Sequence, residues 1–270
     1  MSFENFSISN RQTSSPIVLH VPHSARTIPD SVKSALLIPE PILEEELNEV
    51  TDTLTDQIAL GAVKSLPESI PKPRIFQNNL SRFVIDPERF PDDREVMNKV
   101  GMGAVYKKTT SGRDLRPSDF QDAELLERYF HPYAQAFSDL VDEVLENVGR
   151  VVIIDVHSYR SKQHQNAVNH GQRRPAMCIG TDIFHTPRWL AELFEKEFGQ
   201  LGDYFENEPY AGTYVPLRHY NKEPRVSSIM METRADTFLD ANLMPHDGMK
   251  RVTSALAAIL IKISEMEGAQ

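Results

Sequence analysis

Two short stretches each deliver a histidine at the end of an apolar run. In the first, Ile17 to Val21 is followed by Pro22, His23 and Ser24. In the second, Val151, Val152, Ile153 and Ile154 lead into Asp155, Val156, His157 and Ser158. Polar groups at the carboxyl ends of buried strands lie where α/β folds bind ligands. Either histidine alone could simply cap its strand. The pair points to a metal site assembled across a sheet.

A hydrolytic zinc centre needs three protein ligands of the His or carboxylate type and an open position for water. It also needs a carboxylate off the metal to take a proton from that water. Between the two histidines lies an acidic cluster, Glu44, Glu45, Glu46, Glu49, Asp52 and Asp56. Glu44 to Glu46 read as solvated helix charges. Asp52 stands where a helix begins, so it is a metal-ligand candidate or that helix's N-cap, and Glu49 is close enough in sequence to replace it. Asp56, one turn on, could support a ligand from behind. Glu232 ends the apolar run SSIMME and is the candidate general base; its alternative role is a buried ion pair with Arg234 or Arg218. Asp155 is two residues before His157, on the same side of the strand, and could orient a histidine or pair with an arginine. Arg82, Arg89, Arg160 and Arg218 offer guanidinium groups whose geometry matches carboxylates.

The elements that must hold these residues alternate. Strands are expected at 16–22, 74–77, 82–85, 151–156, 176–180 and along SSIMMETR. Helices are expected at 30–37 with Asp30 as cap, across ILEEELNEVTDTLTDQIALGAVKSL with a break near Thr51 or Asp52, along DAELLERYFHPYAQAFSDLVDEVLENVG with a kink at His131–Pro132, along PRWLAELFEKEFGQL, and from about Asp247 to Glu267. The polar stretch 87–118 reads as a loop able to wrap over a site. Buried strands outnumber half-exposed ones, which argues an α/β fold with a mostly parallel mixed sheet and helices on both faces. About six to eight strands fit one domain spanning residues 1–270, with 1–15 as an irregular lead-in.

Composition narrows the function. Net charge is −10 over 270 residues, which disfavours a nucleic-acid partner because phosphate neutralisation needs a basic face. A local arginine cluster still suits a small anion. The single cysteine, Cys178, lies in an apolar run and reads as a buried strand residue. The N-terminal stretch lacks the apolar core of a signal peptide, and no apolar run is long enough to span a membrane, so a cytoplasmic protein is expected. GxSxG, GxGxxG, P-loop, HExxH and HxxEH motifs are absent.

The segments VPHSARTIP (21–29), TDTLTDQI (51–58), SRFVIDPERFPDD (81–93), IDVHSYRS (154–161), GTYVPLRHY (212–220) and MMETRADTFL (230–239) together resemble the N-formylglutamate amidohydrolase family. The resemblance implies a zinc-exopeptidase-like (phosphorylase/hydrolase-like) fold and hydrolysis of a formamide, or a similar amide, on an acidic amino acid. By position it implies His23, Asp52 and His157 as ligands of one divalent ion such as zinc, Glu232 as general base, and Arg82, Arg89 and Arg218 as contacts for substrate carboxylates. Thr53 and Leu54 stand where the family commonly shows Trp-His, Ala211-Gly212 where it shows paired glycines, and Ala25 where Gly is common. These departures spare the metal set and bear on the substrate. The expected partner is a small anionic N-acyl amino acid. Two rivals stand beside this reading: a zinc amidase or carboxypeptidase acting on another acyl amino acid or peptide, and a non-catalytic binding relative.

Overall fold

The computed structural model describes residues 4–167 and 170–266. Seven strands make one mixed sheet: β1 (Phe6–Ser9), β2 (Ile17–Val21), β3 (Arg74–Asn78), β4 (Val151–Tyr159), β5 (Met177–Gly180), β6 (Tyr204–Glu206) and β7 (Val226–Arg234), in the order β1-β3-β2-β4-β7-β5-β6. The central pairs β3–β2, β2–β4 and β4–β7 are parallel, as is β5–β6. β1 and β5 join antiparallel to β3 and β7. Helices are α1 (Asp30–Lys33), α2 (Glu40–Val50), α3 (Thr55–Lys64), α4 (Ala123–Leu125), α5 (His131–Val148), α6 (Arg188–Phe198) and α7 (Asp247–Glu265).

Side-chain alternation along the parallel strands assigns the two faces. One face presents Ile17, Leu19 and Val21 of β2, Val152, Ile154 and Val156 of β4, and Ile229 and Met231 of β7. It is apolar throughout and packs beneath α3, α6 and α7. The other face begins apolar, with Val18, Val151, Ile153 and Val226 under Phe137, Val141 and Val144 of α5. It then turns polar toward the strand ends, at His20, at Asp155 and His157, and at Glu232. One face is therefore a sealed core. The other is core at its base and chemistry at its top.

The segment after β3 closes that polar end. Phe83, Met97, Met102, Tyr106 and Leu115 pack on Leu43, Leu47 and Val50 of α2, while Leu80, Val84 and Ile85 pack on Tyr129 and Phe130. Fully buried Arg116 ties the wrap together by donating to the carbonyls of Tyr106 and Phe83.

Several local expectations change. Residues 1–15 are not wholly irregular, because β1 pairs with β3. Residues 82–85 hold a turn instead of a strand: Val84 and Ile85 pack on Tyr129 and Phe130, and Phe83 on α2. β4 runs on to Tyr159, so His157 sits within the strand. α1 is a single turn beginning at Asp30, with Pro29 at the cap position. The long helix carries a π segment, Leu126–Phe130, immediately before His131–Pro132, where the proline has no N–H to give to the helix ladder. Glu267, the expected end of the last helix, lies outside the described residues. No described helix is long and apolar enough to cross a membrane.

Candidate active site

Backbone geometry delivers three side chains to one point. His23 follows the turn that ends β2. His157 points from the polar end of β4, two residues beyond Asp155. Asp52 occupies the turn between α2 and α3, and its N–H donates to the His23 carbonyl at 3.0 Å. The turn is tight enough to hold Leu54 at φ 64°, in the left-handed region that bulky residues rarely occupy. Thr55 bonds the Asp52 carbonyl through both its N–H and its hydroxyl. The Asp52 carboxylate caps no helix and turns inward.

The atoms that converge are His23 Nδ1, His157 Nδ1 and an Asp52 oxygen. The two nitrogens are 3.2 Å apart, and Asp52 Oδ2 is 3.0 Å from His157 Nδ1 and 3.7 Å from His23 Nδ1. All three residues are buried. Their donor atoms lie within 4.8 Å of one another, close enough to share one ion. The opposite ring nitrogens face carboxylates: His23 Nε2 is 2.9 Å from Asp86 Oδ1 and His157 Nε2 is 3.1 Å from Asp155 Oδ2. Asp86 hydrogen-bonds the far nitrogen of His23, the usual support for a metal-bound imidazole; Asp155 sits at ion-pair distance behind His157, whose Nε2 has no hydrogen-bond partner. Asp155 also bonds His20 Nδ1 at 2.7 Å, and His20 Nε2 meets the Tyr133 hydroxyl at 2.6 Å. The donor set suits a divalent ion such as zinc.

The field agrees. Burial opposes ionisation of Asp52, Asp86 and Asp155, but Arg82 and the imidazoles outweigh it at the first two, and the His157 and His20 imidazoles at Asp155, so that all three lie well below the usual carboxylate range. Burial alone would depress the His157 pKa; the Glu88 and Asp155 carboxylates reverse this and raise it well above its ordinary value. The pocket is built to stabilise positive charge between the two rings.

Glu232 lies beside this cluster. In the β4–β7 register it is level with His157. It is buried, and its Oε2 has no hydrogen-bond partner. Neither arginine considered for an ion pair reaches it: Arg234 bonds Asp236, and Arg218 bonds Asp139 and Asp142. Burial pushes its carboxyl up to about 8, with His157 opposing the rise. A carboxyl with raised proton affinity and a free oxygen is suited to proton transfer.

His23, His157, Glu232, Arg82 and Arg89 line one cavity of about 690 Å³. Arg82 touches His23 Nδ1 and lies 3.7 Å from Asp52 Oδ1; Arg89 lies 3.5 Å from Asp86 Oδ2. Arg218 stands at the rim, 41% exposed, its guanidinium already engaged by two carboxylates. Asp56 is not brought to the cluster. It lies one residue inside α3, accepts from Gln57, and faces a separate groove together with Glu49 and Arg160. Glu49 pairs at 4.0 Å with Arg160, so of the two acids considered as ligand only Asp52 meets the histidines. The sequence reading missed His20, Asp86 and Glu88. His20 carried a signal, because it alternates with the apolar residues of β2. Asp86 and Glu88 stood in VIDPER, which was read for its arginines. Glu88 reaches within 3.3 Å of His157 Nε2 and 3.5 Å of His20 Nδ1.

A model of the N-formylglutamate amidohydrolase family matches residues 15–239. Among solved structures, the chain is similar to an N-formylglutamate amidohydrolase from Ralstonia eutropha JMP134, at 18% identity and a TM-score of 0.80 over 98% of each chain. It is also similar to a gene product of Agrobacterium tumefaciens, at 18% identity and a TM-score of 0.72 over 98% of this chain and 97% of that one. At this identity the likeness establishes the shared fold. No curated protein matches the chain.

Proposed function

Because the chain belongs to the N-formylglutamate amidohydrolase family, we propose that it is a metal-dependent amidohydrolase that cleaves an N-acyl acidic amino acid, such as N-formyl-L-glutamate to formate and L-glutamate. The observation that carries this reading is the convergence of His23 Nδ1, His157 Nδ1 and Asp52, with His23, His157 and Glu232, whose Oε2 is unpartnered, lining one cavity. His23, Asp52 and His157 would hold the ion. When bound, it supplies Lewis acidity, polarising a carbonyl and lowering the pKa of water to about 7.

The chain's own groups do the rest. Glu232 takes the proton from the attacking water and returns it to the leaving nitrogen as the C–N bond breaks. Arg82 and Arg89 hold the substrate carboxylates by charge-assisted hydrogen bonds. Arg218, bonded to Asp139 and Asp142 at the rim, acts on approach of the anion more than on the bound substrate. Asp86 and Asp155 keep the two imidazoles oriented.

The test is the metal content of purified protein, followed by turnover of N-formylglutamate, N-formylglutamine and N-formyl-leucine. Stoichiometric zinc and selectivity for the glutamate derivative are expected, because Arg82 and Arg89 offer charge-assisted hydrogen bonds that an uncharged side chain cannot match. Equal kcat/KM across the three would remove the arginines from substrate selection. Metal-loaded protein inert toward every N-acyl amino acid would remove the amidohydrolase reading.

A further inference from the structure

The cavity that holds the candidate site is much larger than a formylated glutamate. Such a molecule displaces roughly 150–200 Å³, the volume of five or six waters at about 30 Å³ each. The cavity is about 690 Å³. Its surplus is not a uniform polar void. The cluster, Glu88 and the two arginines form one end. The rest of the lining comes from the first turns of α5 and the segment from Tyr210 to Tyr220; Phe130, Ala134, Val215, Pro216 and Leu217, with Phe90, are its apolar part, beside polar Gln135 and Ser138. Phe130 and Val215 are buried core residues, so this wall is preformed. Phe90 is 37% exposed and Leu217 47% exposed, which leaves large apolar side chains in water at the mouth. Sites with this division fix a ligand by a few polar groups and cover its remainder with apolar surface.

We propose that this apolar arm is an acyl subsite, and that the enzyme's preferred substrate is an acidic amino acid carrying an N-acyl chain of several carbons or an arylacyl group instead of formyl alone. The inference rests on the amidohydrolase reading. With the amide at His23, Asp52 and His157, and the substrate carboxylates at Arg82 and Arg89, the acyl substituent is the part left to enter the arm. Formyl has no carbon beyond its carbonyl and would leave the arm filled with water. The chemistry is ordinary hydrolysis. The water oxygen bonds to the acyl carbon, the C–N bond breaks, Glu232 passes the water proton to the departing nitrogen, and the products are a free carboxylate and the free acidic amino acid.

The test is an acyl series on zinc-loaded protein: N-formyl-, N-acetyl-, N-butanoyl-, N-hexanoyl- and N-phenylacetyl-glutamate. Each buried methylene adds roughly threefold to fourfold in affinity, so kcat/KM is expected to rise by at least about tenfold from formyl to hexanoyl. Binding of the same series to zinc-loaded Glu232→Gln protein, followed by calorimetry, should tighten in the same order. Ala134→Trp, which fills the arm, should lower the ratio of hexanoyl to formyl kcat/KM by about tenfold or more. A best rate on N-formylglutamate, falling with acyl length, would overturn the acyl subsite and leave the amidohydrolase reading standing. A flat acyl series with strong turnover of N-formylglutamyl-phenylalanine would give the arm to the amine side and equally overturn the proposal. No turnover of any compound by metal-loaded protein would overturn both.

Discussion

Both candidate ligand histidines are backed by carboxylates. A free imidazole offers either nitrogen, and the carboxylate at Nε2 selects Nδ1 as donor. Asp86 is placed to do this for His23 by a hydrogen bond, and Asp155 stands at ion-pair distance behind His157. Asp155→Asn is therefore expected to weaken zinc binding by about 10- to 100-fold, measured by competition with a chelator; unchanged affinity would make Asp155 a mere core polar residue. Glu232 differs because it touches no ligand nitrogen. Glu232→Gln should keep full metal occupancy while kcat falls by roughly 10²-fold or more, and wild-type turnover in that variant would exclude it as the base. His23, Asp52, His157 and Glu232 stood out in the sequence because each follows an apolar run or stands near a helix start, and the structure brings them together. Asp86 and Glu88 were not. Nothing in VIDPER tells which of its three charged residues turns toward a strand end, because that depends on how the 79–118 wrap packs on α2 and α5.

The wrap that carries Arg82, Asp86, Glu88 and Arg89 has no sheet pairing beyond isolated bridges, so tethers decide its position. One tether is Glu46, buried on α2, whose two oxygens accept from the N–H and hydroxyl groups of both Thr110 and Ser111. Its charge had been read as solvated. Burial works to raise the Glu46 pKa, but these four donors outweigh it and the net displacement is downward from 4.5. The sign then follows from linkage. A carboxylate with a depressed native pKa contributes stability that is fully present above its unfolded value and lost as pH falls through its native value. Glu46→Gln should thus cost about 1–3 kcal/mol at neutral pH and flatten the stability–pH curve below about pH 4.3, read by denaturant melts between pH 7 and pH 3. An unchanged acid limb would mean other carboxylates govern it. At this scale the parallel strands and the main helices were legible from periodicity. β1 and β6 were not, being short and largely half-buried edge strands without a strong apolar run. The apolar residues at 82–85 misled because burial against helices and burial in a sheet leave the same mark in a short sequence.

The fold as a whole gathers acidic groups at one end of the sheet. Asp52, Asp86, Asp155, Glu88 and Glu232 surround two imidazoles and two guanidinium groups in a chain whose net charge is already −10. The ligands come from β2, β4 and the α2–α3 turn, segments 134 residues apart from His23 to His157, so an ion held there cross-links the sheet to its flanking helices. An ion that binds only the folded chain stabilises it by mass action, by about 2.7 kcal/mol at 100 times its dissociation constant. For a chain of this size each kcal/mol moves the melting midpoint by roughly 2–4 °C. Stripping the metal with a chelator should therefore lower Tm by about 5–10 °C, and adding zinc back should restore it. Because all seven strands share one sheet, the shift should move a single calorimetric transition and not split it. His157→Ala protein should show no zinc-dependent shift at all, while Glu232→Gln should show the full one. A zinc-dependent rise of wild-type size in His157→Ala would place the bound ion away from the β4 strand end and would separate the metal from the cavity that Glu232 lines.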